Sequence, residues 1–452
     1  MKKLMFKFVF LVAIVAAYGG FLTSCSDKED LAAGPAEVKT RSVSIPANTV
    51  IRTDTNWSQA NNGNTYYLLE GKVWVDSAAT LTIEPGTIIR GAYNSNPVYA
   101  SALIITRYGK LIANGDSVNP IVMTADEDHQ FKGGWGGLVL LGNAQINQTP
   151  NQLIEGISTG IVPPGVDATY GTNDPSSNTE SSGSLKYVRV EYAGASIAPT
   201  NELNAFTFGG VGSETIVEHC QAYYGADDAF EFFGGRVNAK YLVATACDDD
   251  CFDFDFGYQG KIQFAVSTID PAMSYSSDPN GIECDNDGAG SSNTPYTHPY
   301  LSNLTIVGTS DCKIAGGGRI VGNDHYLYNG ARFRRNTQYT LVNSIIYGYP
   351  TGIWNNTANT STCDYNVVSA CSTCFLDFPT PPTYISTTVG GITLSSPFGN
   401  YKSGALAPNG GYALDGLVYT PIFSDPFFDT VYWEGGAWDP YGNYWLADSW
   451  VR

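Results

Sequence analysis

Asp227-Asp228-Ala229-Phe230-Glu231-Phe232-Phe233 recurs 22 residues later as Asp249-Asp250-Cys251-Phe252-Asp253-Phe254-Asp255, and Ile282-Glu283-Cys284-Asp285 repeats its alternating half once more. Self-similarity at a short period marks a solenoid, in which each turn buries its apolar face by stacking on the next. Apolar and acidic residues alternate with period two, so the repeated piece is a strand. Phe230/Phe232, Phe252/Phe254 and Ile282/Cys284 should face the core, and the acids should face outward. Stacked strands lie ~4.8 Å apart. That spacing puts Glu231, Asp253 and Glu283 in one column of like charges, with Asp255 and Asp285 in a second. Such columns repel and call for a cation, raised pKa values or a cationic partner.

The same architecture extends outward from this stretch. From about Ile45 onward, short β-rich runs end at Gly, Asn, Asp or Pro, among them Lys72-Val73-Trp74-Val75, Thr80-Leu81-Thr82-Ile83 and Leu138-Val139-Leu140-Leu141. No amphipathic helical segments separate them, which excludes a βα solenoid or a doubly wound sheet. Three strands per turn of a parallel β-helix fit the spacing. Residues 156–184 are rich in Gly, Pro, Ser, Thr and Asn and read as a long loop leaving the coil. Beyond Pro350 the periodicity fades. Trp433, Trp438, Trp445 and Trp450 crowd the end of the chain, as expected of a cap over the open end, with a sugar-stacking surface as the alternative. The expected division is a leader over 1–24, a tether over 25–45, the coil over 46–350 and a β-rich cap over 351–452.

The first residues read as an address. Lys2, Lys3 and Lys7 precede an apolar stretch from Phe8 to Ala17 that is too short to span a membrane, which is the pattern of a signal peptide. Leu22-Thr23-Ser24-Cys25 resembles a bacterial lipobox, with lipid on Cys25. The acidic run Ser26-Asp27-Lys28-Glu29-Asp30 resembles the signal that sends Bacteroidota lipoproteins to the outer face of the outer membrane. The chain carries 24 Lys and Arg against 43 Asp and Glu, a net charge of −19. That balance excludes nucleic acid as a partner. Eight cysteines besides Cys25 suggest disulfides in an exported chain, with Cys247/Cys251 and two of Cys363, Cys371 and Cys374 as local candidates. Four scattered histidines offer no zinc spacing beside them.

Ala79-Thr80-Leu81-Thr82-Ile83-Glu84-Pro85-Gly86-Thr87, Gly134-Trp135-Gly136-Gly137-Leu138, Lys186-Tyr187-Val188-Arg189-Val190-Glu191-Tyr192-Ala193-Gly194 and Arg334-Arg335-Asn336-Thr337 carry a resemblance. So does the stretch from Asp248-Asp249-Asp250 through Phe256-Gly257-Tyr258-Gln259-Gly260-Lys261. Together they resemble a Bacteroidota family of exported, lipid-anchored proteins. The resemblance implies a right-handed parallel β-helix and export. It implies no activity and no catalytic residues.

Clustered carboxylates suit a hard cation such as calcium, which takes six to eight oxygens. The candidate ligands are Glu231, Asp249, Asp250, Asp253, Asp255, Glu283, Asp285 and Asp287. Glu283-x-Asp285-x-Asp287-Gly288 matches the first half of a calcium loop, but Thr294 stands at the twelfth position, so an EF-hand is excluded. The same acids could be catalytic. A glycosidase needs two carboxyls ~5–9.5 Å apart, and Asp253, Asp255 and Glu283 are the candidates. A lyase would add a basic residue from Arg236, Lys240 or Lys261. Arg332, Arg334 and Arg335 could bind an anion, although pairing with acids on a strand face is the commoner fate of such residues. The expectation is a cell-surface lipoprotein, tethered to the outer membrane by Cys25, that binds an extracellular glycan or protein ligand without catalysis and uses Ca2+ to stabilise its acidic face. The alternatives are a polysaccharide lyase or glycoside hydrolase, or a purely structural surface component.

Overall fold

The computed structural model describes residues 41–58, 65–198, 201–379, 382, 386–387 and 418–452. The leader, Cys25 and most of the tether lie outside them. The described chain is all-β and forms the expected right-handed parallel β-helix. An 11-stranded sheet runs from Val50–Ile51 to Thr373–Leu376, and a 17-stranded sheet supplies the other two faces of the coil.

Two ladders make up the larger sheet, and five long strands belong to both. Gly183–Glu191 pairs through its first half with Lys110–Asn114 and through its second with Ile121–Ala125. The change of direction falls on one residue per strand. Tyr187, His219, Tyr241, Phe264 and Asn303 all have φ between 52° and 60°. A left-handed residue in each strand bends it around a corner, and in-register stacking repeats the corner along the coil. Tyr187, His219, Tyr241 and Phe264 stack ring on ring, with centroids 4.4, 4.4 and 5.1 Å apart. One turn on, Asn343 (φ 54°) lies between two separate strands, Thr340–Val342 and Ile345–Tyr347.

The core is the stack foreseen from the repeat. Phe206, Phe230 and Phe252 form one column with centroids 4.8 and 5.6 Å apart, and Phe208, Phe232 and Phe254 form another at 5.0 and 5.2 Å. All six rings are fully buried.

Three features differ from the sequence reading. The coil runs past Pro350, because Thr351–Asn356 and Thr373–Leu376 add two more rungs to the 11-stranded sheet. The described C-terminal residues form a strap along the larger sheet rather than a lid on its end. Tyr419 N–H donates to Asn343 Oδ1 (2.6 Å), Asn303 Nδ2 to the Trp433 carbonyl (2.9 Å) and Arg452 N–H to Gln221 Oε1 (2.7 Å). Trp445 and Trp450 are buried against Val243, Phe264 and Val266, so they are core residues of the strap and offer no face to a sugar. The disulfide joins Cys312 to Cys371, with Cα atoms 6.3 Å apart. Cys247 and Cys251 are free and buried, as is Cys363. Stacking brings residues 59 positions apart together, which no local spacing rule detects.

Candidate functional site: a carboxylate cluster on the 11-stranded sheet

The outward face of the 11-stranded sheet changes character along the coil. One column reads Trp74, Ile104, Val139, Thr207, Glu231, Asp253, Glu283, Arg332 and Trp354, each opposite the next in register. An insertion before Gly183 covers its apolar rungs. The expected loop over 156–184 departs from the coil and folds back, so that Ile154, Ile157, Ala168 and Tyr170 pack on Trp74, Ile104 and Val139. The acids therefore face away from the phenylalanine core, as expected, yet they are not open to water. Glu231 is only 6% exposed, and Asp228 and Asp250 are similarly buried.

Compensation arrives from the next rungs. The Arg334 guanidinium donates to both oxygens of Asp285 (2.8 and 3.0 Å) and to Glu283, Arg335 donates to Asp285 (2.7 Å), and Arg332 donates to Asp278 (2.5 Å). The arginines thus pair with acids of the strand face. Asp287 turns to its own loop, where it accepts from Ser291 and from the Ala289 N–H, and it titrates below the usual carboxylate range. Glu283, Asp285 and Asp287 thus each have a hydrogen-bond partner already in place. Asp250 accepts from Asn280 N–H (2.7 Å) and Nδ2 (3.0 Å). Asp255 accepts from Phe256 N–H at 2.7 Å.

One group of acids receives no cationic partner among the described residues, although the Asp250 N–H donates to Asp228 (2.8 Å). Carboxylate oxygens of Asp228, Glu231 and Asp253 lie within 4.8 Å of one another, and those of Asp227, Asp228 and Asp249 form an adjoining triad. Asp228 bridges the two. Asp228 and Asp227 were absent from the candidate ligands, although the Asp-Asp step of the repeat carried the signal. Asn204 donates to Glu231 from the turn one coil back. Asp253 Oδ1, Asn204 Oδ1 and Thr207 Oγ1 are buried with no hydrogen-bond partner among the described residues. Buried polar atoms left unpaired are costly, and these three belong to neighbours of Glu231: Thr207 and Asp253 stand opposite it in register, and Asn204 donates to it.

The electrostatics follow from this burial. Desolvation, then repulsion from neighbouring acids, pushes Asp227, Asp228, Glu231, Asp250 and Asp253 well above the carboxylate range. Burial also raises Asp255. Asp249 moves up to about 6 through burial, offset by the hydrogen bond from Ser276. Glu283 rises to about 7 through burial, with Arg334 opposing the shift. Glu155, on the insertion, is lifted to about 7 by burial, against the hydrogen bond from the Glu202 N–H. Without a cation, Asp227, Asp228, Glu231, Asp250 and Asp253 are shifted toward the protonated form.

The basic candidates for a lyase stand elsewhere. Lys240 pairs with Asp429 (2.7 Å) and Lys261 with Asp425 (2.5 Å), both on the strap beside the larger sheet. Arg236 is spent on the Gly235 and Gly257 carbonyls. Arg332, Arg334 and Arg335 are the cations the structure brings to the acids.

A profile described as the pectate-lyase-like beta helix domain matches residues 52–388. The chain belongs to this β-helix family. The match covers all three ladders of the coil and every residue of the carboxylate cluster. No curated protein and no solved structure matches the chain.

Proposed function

We propose that this member of the pectate-lyase-like β-helix family is an exported lipoprotein, held to the outer membrane by lipid on Cys25 and facing the cell exterior. Its rigid coil binds an extracellular glycan or other ligand, and a calcium ion neutralises the acidic face. The observation that carries the metal reading is the buried carboxylate group around Glu231, which has no cation beside it and leaves Asp253 Oδ1, Asn204 Oδ1 and Thr207 Oγ1 without a hydrogen bond among the described residues. Asp228, Glu231 and Asp253 would supply carboxylate oxygens, Asn204 Oδ1 and Thr207 Oγ1 neutral ones, and Asp227 and Asp249 a flanking pair. This donor set is all oxygen, which suits a hard cation. Calcium is the ion most available outside a cell, and even ~0.1–1 mM affinity would keep such a site filled there. Of the acids first considered, Glu283, Asp285 and Asp287 already have partners and support the site from outside.

Titration calorimetry of residues 26–452 with CaCl2 tests the metal reading. Calcium should bind with release of protons, because ligands held protonated must give them up. Glu231→Gln should abolish the event. Absence of any heat or proton release from the wild-type protein would remove calcium from this account.

A second reading has one observation in its favour. Glu283, poised at about 7 beside Arg334, stands next to Asp253 and Asp255 in an arrangement that suits acid–base chemistry on a polysaccharide. Release of oligosaccharides from a glycan panel, lost in Asp253→Asn, would put this reading first.

A further inference from the structure

A groove of about 730 Å³ opens on the outside of the coil where the strands of the larger sheet end and the acid-bearing turns begin. It shares Asp248 with those turns but includes none of Asp228, Glu231 or Asp253. Phe131, Lys132, Tyr192, Tyr223 and Tyr224 supply most of its character. The three tyrosines form one cluster, with centroids 4.5, 6.0 and 6.5 Å apart.

The corner does not require tyrosine, although Tyr192 packs against the core and Tyr224 donates to Asp270 (2.7 Å). Tyr192 (φ 58°), Tyr224 (φ 54°) and Ala246 (φ 52°) hold the same left-handed corner on successive turns. Bulky side chains are disfavoured in this conformation, and Ala246 meets the backbone requirement while fully buried. Tyr192 and Tyr224 hold it with rings half out of the core.

Charge narrows the class of ligand. Lys132 pairs with Asp248 at 2.8 Å. Arg452 pairs with Glu191 and lies over the Tyr223 and Tyr192 rings at 4.5 and 5.3 Å. Arg452 shares Glu191 with Arg189, but the groove's own lining holds one cation and one carboxylate, Lys132 and Asp248, paired with each other, so its wall offers aromatic faces and hydrogen-bonding edges with no surplus charge. A pyranose has the complementary surface, with an apolar CH face and a rim of hydroxyls. A uronate polymer would need an unmatched cation. Phe131, 47% exposed, and Lys132 also line an adjoining depression of about 320 Å³ with Tyr93 and Gly194. Two depressions sharing one aromatic wall suit a chain of several sugars.

We infer that this groove binds a neutral oligosaccharide by stacking on Phe131 and the tyrosine cluster. The inference rests on the glycan-binding reading above and places the ligand apart from the carboxylates. The test is calorimetry of residues 26–452 against neutral hexasaccharides of β-glucan, α-glucan and mannan, and against polygalacturonate. At least one neutral hexasaccharide should bind. Phe131→Ala and Tyr224→Ala should each weaken it about tenfold or more, while Tyr441→Ala, outside the groove, should leave it unchanged. Phe131→Ala should keep the wild-type melting midpoint, so it decides the matter if Tyr224→Ala fails to fold. Equal affinity in the wild type and both groove variants overturns the groove and leaves the glycan reading standing. Binding of polygalacturonate alone overturns the charge argument and with it the groove. No binding of any probe overturns both.

Discussion

At the residue scale, the cluster turns on how Asp228, Glu231 and Asp253 tolerate one another. In the absence of a cation, each adds repulsion and burial cost to the folded state. The sign of the pH dependence follows. Above the ordinary carboxylate pKa near 4, the unfolded chain releases protons that the fold keeps. Stability without metal therefore falls as pH rises, through about 6 for Asp249 and about 7 for Glu283. Melting midpoints in EDTA should drop between pH 5 and pH 8, and calcium should restore them at the upper end. Asp253→Asn separates the two states. In EDTA at pH 8 it should stabilise by on the order of 1 kcal/mol, because a buried carboxyl that repels its neighbours on ionising is gone. In calcium it should destabilise, because a ligand is lost. The same sign in both conditions would contradict a metal at this position. Asp253, Glu231 and Glu283 were legible as one column, because period-two alternation and a 22-residue repeat fix which side chains share a face. Their burial was not legible. Ile154, Ile157 and Tyr170, which help cover this face, are scattered among Gly, Pro and Ser with no period to announce a packed element.

At the scale of elements, the rung after the acids is the one that closes the charge balance. Arg334 is 14% exposed, and its partners Glu283 and Asp285 are 12% and 6% exposed. Removing one partner of a buried pair strands the other, at a cost of ~3–5 kcal/mol. Urea denaturation of Arg334→Ala should show a loss of that size. Lys313→Ala, which breaks a pair 41% and 50% exposed, should leave the denaturation midpoint nearly unchanged. In the core, Phe232 stacks between Phe208 and Phe254, and Phe232→Ala should cost ~3–5 kcal/mol by the same measurement. The strands themselves were readable, since most expected runs lie within a residue or two of the observed ones. The corner residues were not. Tyr, His and Phe at 187, 219, 241 and 264 read as ordinary strand residues, and only stacking shows why each adopts a left-handed backbone.

At the scale of the molecule, the chain closes on itself sideways. The strap covers Val243, Phe264, Val266, Val307 and Ile345 with Trp445, Leu446 and Trp450. A chain ending at Phe428 should expose this face, bind a hydrophobic dye and aggregate on mild heating, while the full chain should not. Equal behaviour of the two would show that the coil does not need the strap. The Trp-rich end was legible as apolar packing, but its destination was not, because a sequence marks what must be buried and not which face buries it. Membership of the pectate-lyase-like β-helix family agrees with the coil and leaves the ligand to be found by experiment.

The most direct test of the account is thermal unfolding of residues 26–452 at pH 7.5 in millimolar calcium and in EDTA. The carboxylate cluster predicts a clearly higher midpoint in calcium, reduced to the EDTA value by Glu231→Gln. Identical midpoints for the wild-type protein in the two solutions would contradict it, and would mean that protons and the arginine rung alone balance the acidic face.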